Sequence, residues 1–259
     1  MNMTTMEAYV NRSTQSGIST VEFFHPQSNS LPSAILNKLA EEILNAGKDP
    51  ETRVILLRSG GSKAFCAGAS FDELTRIDNE SDGKIFFSGF AKVINAIRTC
   101  GKIVIARIQG KCVGGGVGLA AAADYSIAVQ GADVKLSELA VGIGPFVVGP
   151  AIERKMGVSA FSAMAIDASM WRSSEWAYQR GLFAECHPGM EEVDAAVMRL
   201  AGFLVNSSPD ALAEMKQIFW KGTEHWASLL EERAGISGRL VIGSHAKKAI
   251  AAALSKTTK

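Results

Sequence analysis

The chain has 259 residues, 47% hydrophobic and 20% charged, with 27 Lys and Arg against 26 Asp and Glu. That composition suits a globular protein of one large or two modest domains with ample buried core. The net charge of +1 gives no broad field for nucleic acid or an anionic membrane, so an anionic ligand must be held by local groups.

Residues 1–17 are polar and carry no apolar run of the kind a secretory signal needs. Ile18 to Phe24 reads as a strand, rich in β-branched and aromatic residues. His25-Pro26-Gln27-Ser28-Asn29-Ser30 is a turn. Pro32 opens a helix with Ile35, Leu36, Leu39, Ile43 and Leu44 on one face. Val54 to Leu57 is a buried strand, and Phe86, Phe90, Val93 and Ile97 mark a second amphipathic helix. Ile103 to Ile108 is another buried strand. A Gly-rich turn follows, then the small-residue run Val117 to Ala123 and a strand from Tyr125 to Val129. Strands alternating with helices predict an α/β layer fold.

Beyond residue 145 or so the pattern turns helical. Val193, Val197, Leu200 and Leu204 form a stripe, and Ser208-Pro209 caps a helix with Leu212, Met215 and Phe219. Trp226, Leu229 and Leu230 continue the pattern, and Ser244 to Leu254 is also helical. Trp171, Trp176, Trp220 and Trp226 all fall in predicted helical regions, where packing is their expected role. The four cysteines, Cys66, Cys100, Cys112 and Cys186, lack Cys-x-x-Cys spacing, and the four histidines lack metal-ligand spacing, so no metal is expected. Free thiols and apolar stretches too short to span a bilayer predict a cytoplasmic protein.

Two segments could carry chemistry. Lys63-Ala64-Phe65-Cys66-Ala67-Gly68-Ala69-Ser70-Phe71 follows a strand, and Gly110 to Gly118 follows a strand and leads into a helix. Small residues let backbone approach a ligand, and a helix start offers unpaired N–H groups. The Gly-rich turn fails the G-x-G-x-x-G dinucleotide pattern, and no Gly-Lys pair is followed by Ser or Thr as a phosphate loop requires. On residue types alone, such a turn serves tight strand–helix packing as readily as ligand binding.

Together, Ala67-Gly68-Ala69 and Val113-Gly114-Gly115-Gly116 resemble the two oxyanion-hole signatures of the crotonase (enoyl-CoA hydratase/isomerase) superfamily, in that family's order. Further likeness runs through Lys102 to Ala106, Ala123-Asp124-Tyr125, Leu136-Ser137-Glu138-Leu139 and Ala177 to Leu182. The resemblance implies a spiral of β-β-α units over residues 1–192 holding an acyl-CoA site, and a helical region over 193–259 that packs against other subunits of a homotrimer or homohexamer. It implies that the N–H groups of Ala69 and Gly115 hold the thioester oxygen and that Glu138 moves a proton. Gln27, Ala67, Gly68, Ser70, Phe71, Gly114, Gly118 and Lys256 become candidate substrate contacts. No cofactor is implied, coenzyme A being part of the substrate.

Two departures bear on the chemistry. Many family hydratases carry a second glutamate at the position of Gly118, so Gly118→Glu is expected to raise hydration, and Asp72, Glu73, Asp133 and Glu153 are candidate replacements. Ser70 stands where the family usually has Asp. The implied activity is hydration of an enoyl-CoA, slightly ahead of double-bond isomerisation by Glu138 alone. Decarboxylation or hydrolysis on the same scaffold, and a non-catalytic acyl-CoA-binding relative, are the rivals.

Overall fold

The computed structural model describes the backbone of residues 7–257 and the side chains of residues 7–253. Strands β1 (Tyr9–Gln15) and β2 (Ile18–Phe24) form an antiparallel hairpin. It turns through Ser16 and Gly17, both at positive φ (50° and 81°), the conformation a two-residue hairpin turn demands. β1 is polar and exposed at the sheet edge, so its sequence lacks the apolar signature that betrays β2.

From β2 onward the chain winds in repeated units. Each sends one strand to a main sheet, a short second strand to a smaller sheet, and then a helix outward. The first unit is β2, β3 (Ser30–Leu31) and α1 (Ser33–Lys48). The second is β4 (Val54–Ser59), β5 (Ala64–Cys66), β6 (Gly68–Ala69), the short α2 (Phe71–Leu74) and α3 (Glu80–Thr99). The third is β7 (Ile103–Ile108), β8 (Lys111–Val113) and α4 (Gly115–Ala122). The fourth is β9 (Tyr125–Val129), β10 (Val134–Lys135), a 3₁₀ turn (Leu139–Val141) and α5 (Gly149–Ile166), which breaks its helical geometry at Gly157.

After α6 (Ser174–Gln179) and β11 (Glu185–His187), the main sheet runs β1-β2-β4-β7-β9-β11, parallel from β2 on. The small sheets are β10-β8-β5 and β3-β6. This is the expected β-β-α spiral. Its central strands are near-continuous apolar runs because helices cover both faces.

Helices α7 (Met190–Val205), α8 (Pro209–Phe219), α9 (Trp226–Val241) and α10 (Ser244–Thr257) complete the chain. Ser208 caps α8, its hydroxyl accepting from the Ala211 N–H at 3.3 Å. Residue 193 lies inside α7, whose Val193, Ala196 and Val197 pack on Val54, Leu56, Ile105 and Ile127 of the sheet. The helical region therefore begins as a layer of the core. α9 lies along α3 of the same chain, where Gly83 and Gly238 bring the two backbones together: a Cβ added to Gly238 would stand 2.5 Å from the Lys84 nitrogen. So one face of α9 packs within its own chain. Trp171 also departs from the helical reading. It sits in an extended segment, 40% exposed, with the Lys111 ammonium 4.7 Å from its ring.

Candidate active site

Each second strand of the spiral ends where its chain turns toward the helix, and two of these turns meet. β5 and β8 are parallel neighbours with Cys66 opposite Cys112, which sets Ala67-Gly68-Ala69 beside Val113-Gly114-Gly115. A Cβ placed on Gly68 would lie 3.2 Å from the Val113 oxygen and 3.8 Å from the Gly115 nitrogen. Gly115 is the first residue of α4, so its N–H has no acceptor within the helix.

Gly114 takes φ 52° and ψ −113°, open only to glycine, and donates its N–H to the Lys135 oxygen at 2.8 Å. A Cβ there would stand 2.8 Å from Oε1 of Glu138. The missing side chain is what lets the carboxyl lie against this turn. The other glycines pack. Gly116 is met by the Cys66 carbonyl oxygen and Gly118 by Val148, each closer than any Cβ could tolerate. The Gly-rich turn is thus both things at once: Gly114 and Gly115 border the cavity, while Gly116 and Gly118 seat a fully buried α4.

Glu138 follows β10 and enters the 3₁₀ turn, its carbonyl accepting the N–H groups of Val141 and Ile143 at 3.1 and 3.0 Å. The residue is half-buried, but its Oε2 is fully buried and has no hydrogen-bond partner among the described residues. Burial pushes its carboxyl up to about 7, against the lowering pull of the backbone groups of Glu138 and Ser137.

A cavity of about 150 Å³ opens above these groups. It brings together Glu138, Ala67, Gly68, Ala69, Phe71, Gly114 and Gly115. Gln27, Ser70 and Gly118 are not among its walls. Gln27 is exposed, its side-chain amide donating to Asp72 at 3.0 Å. Ser70 is buried as the cap of α2, its hydroxyl accepting from the Glu73 N–H. At Gly118 a Cβ would meet Cγ1 of Val148 at 2.5 Å and Cβ at 2.7 Å, so the space a second acid would need is filled by valine. That corrects the expectation for Gly118→Glu: the side chain does not fit while Val148 is present. Lys256 lies outside the residues whose side chains are described.

None of the candidate replacement acids reaches the cavity. Glu73 is held by the N–H and hydroxyl of Ser33, Asp133 accepts from the Ser174 N–H, and Asp72 and Glu153 are on the surface. Among the described residues Glu138 is the one ionisable side chain in the lining. Cys66 is buried with its thiol pushed up to about 12, and its sulfur accepts the Gly68 N–H at 3.4 Å. That makes it a packing group, as its lack of a neighbouring base predicts.

Sequence reasoning missed the apolar wall. Phe86, Phe87 and Phe90 descend from α3, and Val141, Ile143, Phe146 and Val148 from the stretch after Glu138. The Phe90 ring lies over Gly115, in the space its side chain would take. The helical stripe had marked Phe86 and Phe90 as core; Phe87, off that stripe, was the available signal. Ser237 of α9 also reaches the cavity, which no local pattern announces.

The model of the enoyl-CoA hydratase/isomerase family matches residues 13–241. The chain belongs to that family. A carnitinyl-CoA dehydratase of Salmonella enteritidis PT4 is 32% identical over 194 residues, 75% of this chain and 73% of that protein. The crystal structure of an enoyl-CoA hydratase from Bacillus halodurans superposes with a TM-score of 0.86 at 22% identity, over 94% of this chain and 99% of that one. An enoyl-CoA hydratase from Mycobacterium avium gives 0.84 at 24%, over 97% and 98%. At those identities the two structures speak to the fold alone, and they bear out the crotonase spiral. The family match and the dehydratase bear out the resemblance read from the motifs, and with it an enzyme of acyl-CoA chemistry.

Proposed function

We propose that the protein hydrates a 2-enoyl-CoA, or runs the reverse dehydration, by moving a proton at the carbon next to the thioester. The observation that carries this is the meeting of Ala69, Gly115 and Glu138 at one apolar cavity, with the carboxyl's ordinary acidity suppressed by burial. The thioester oxygen would accept from the N–H groups of Ala69 and Gly115. Ionised Glu138 takes a proton from water as the water oxygen bonds to the β-carbon. The double-bond electrons move toward the carbonyl, leaving an enolate whose charge rests on the thioester oxygen. Glu138 then returns the proton to the α-carbon. Two aimed donors lower the enolate barrier; losing one such donor typically costs about 10²- to 10³-fold. The thioester supplies the activation, so the steps call on no further cofactor.

Double-bond isomerisation is the second reading, favoured by Glu138 being the sole ionisable group of the lining among the described residues and by Val148 standing in the space beside Gly118. One carboxylate suffices to carry a proton from the α- to the γ-carbon. Ultraviolet absorbance separates the two. Hydration bleaches the conjugated thioester of a 2-enoyl-CoA, and isomerisation creates it from a 3-enoyl-CoA. Silence with both substrates would sink both readings and leave decarboxylation or hydrolysis.

No helix among the described residues is long and apolar enough to cross a membrane. We assign the protein to the cytoplasm, in keeping with four free cysteines, and to a homotrimer or homohexamer. Ile166, Phe203 and Ile218, each at least 67% exposed, support the assembly. Sedimentation velocity reads it directly, and a monomer would refute it.

A further inference from the structure

The size and lining of the cavity bear on which acyl group it admits. Its volume is about 150 Å³, and an apolar protein cavity of that size holds one benzene, roughly six carbons. Phe71, Phe86, Phe87 and Phe146 line it with Val141 and Ile143. Phe86 and Phe87 lock edge to face, 5.0 Å between centroids and 84° between planes, so this wall is braced against swinging aside. Among the described residues no cationic side chain lines the cavity, and its one ionisable group, Glu138, is the group the proposed reaction uses for proton transfer. A charged end on the acyl chain would lose its water without gaining a partner, a loss that costs far more than apolar burial returns. A quaternary ammonium is the exception to weigh, since ring faces attract cations. Its three methyl groups on top of the acyl chain overfill the volume.

We propose that the site selects uncharged, apolar acyl groups of up to about six carbons, and that the phenylalanine wall sets the limit. The inference rests on the acyl-CoA reading above and narrows its substrate class. Saturated acyl-CoAs test it, because they bind without being hydrated or isomerised. Calorimetry on the wild-type protein should show affinity rising about fourfold per methylene from acetyl- to hexanoyl-CoA, with no gain from hexanoyl- to dodecanoyl-CoA. Hexanoyl-CoA analogues ending in a carboxylate or a trimethylammonium group should bind at least tenfold more weakly. Continued tightening to dodecanoyl-CoA, or equal or tighter binding of either charged analogue, overturns the proposal. Phe87→Ala should improve decanoyl-CoA binding about tenfold; should that variant not fold, Phe146→Ala reads the same wall. A break that neither variant moves overturns the role given to the phenylalanines. A break at six carbons in a protein that turns over no enoyl-CoA upholds the size limit and refutes the proposed reaction. Failure to bind any acyl-CoA refutes both.

Discussion

Glu138 derives its chemistry from where its carboxyl is buried. The folded state keeps a proton on it up to about pH 7, while the unfolded chain releases it near the ordinary carboxyl value of 4.5. Between those values the folded state binds more protons, so stability falls as pH rises. The loss approaches about 3 kcal/mol above pH 7 if burial persists on ionisation. Denaturant melts of wild type and Glu138→Gln across pH 4–8 check the sign: the glutamine variant should gain on wild type as pH rises, and a constant difference would refute the buried carboxyl. Gly114 makes the second demand. A methyl there would force a left-handed alanine and stand 2.8 Å from Oε1 of Glu138. Gly114→Ala should lower melting stability by about 1–3 kcal/mol and kcat by about 10²-fold through displacement of the carboxyl. Wild-type kcat in that variant would mean that the carboxyl's seat against the turn is immaterial.

Among the elements, α8 is fastened to the sheet by one buried charge pair. Lys216 of α8 meets Asp124 at 2.5 Å, with 3% and 5% of the two side chains exposed. Asp124 also accepts from the Val104 N–H and the Trp220 indole, at 2.8 and 2.9 Å. Lys155 of α5 donates to the Ala123 and Asp124 carbonyl oxygens. Removing one partner of such a pair strands the other charge, which costs about 3–5 kcal/mol. Lys216→Ala should therefore lower unfolding free energy by about that amount, read from denaturant titration; a change under 1 kcal/mol would show that α8 is held by apolar packing alone.

Much of this was legible in the sequence. The spans of β2, β7 and β9 match their apolar runs, and Ser208 caps α8 as its Ser-Pro step predicts. Buried parallel strands and capped amphipathic helices write their identity locally. The site was legible where backbone needs small residues: the segments around Ala69 and Gly115 share the cavity with Glu138. Gly118 and Ser70 stand outside the cavity walls, since a glycine that seats a helix and a serine that caps one look, in sequence, like ligand contacts. The cavity wall stayed hidden because it is assembled from distant parts. Leu74, Phe86 and Ile143 cluster with Val241 and Ile250 of the C-terminal helices, and Ser237 reaches the cavity because two glycines let α9 close on α3. Such contacts follow from how the whole chain closes, not from any one segment.

The proposed chemistry converges on a single carboxyl, in a cavity with no other acid among the described residues. Turnover by Glu138→Gln, compared with wild type on the better enoyl-CoA and paired with acyl-CoA affinity, asks whether that carboxyl carries the proton. The amide keeps the shape and loses the exchangeable acid, so kcat should fall by about 10²- to 10⁴-fold while acyl-CoA binds within a few-fold of wild type. Undiminished kcat in a variant that still binds acyl-CoA would remove Glu138 from the reaction.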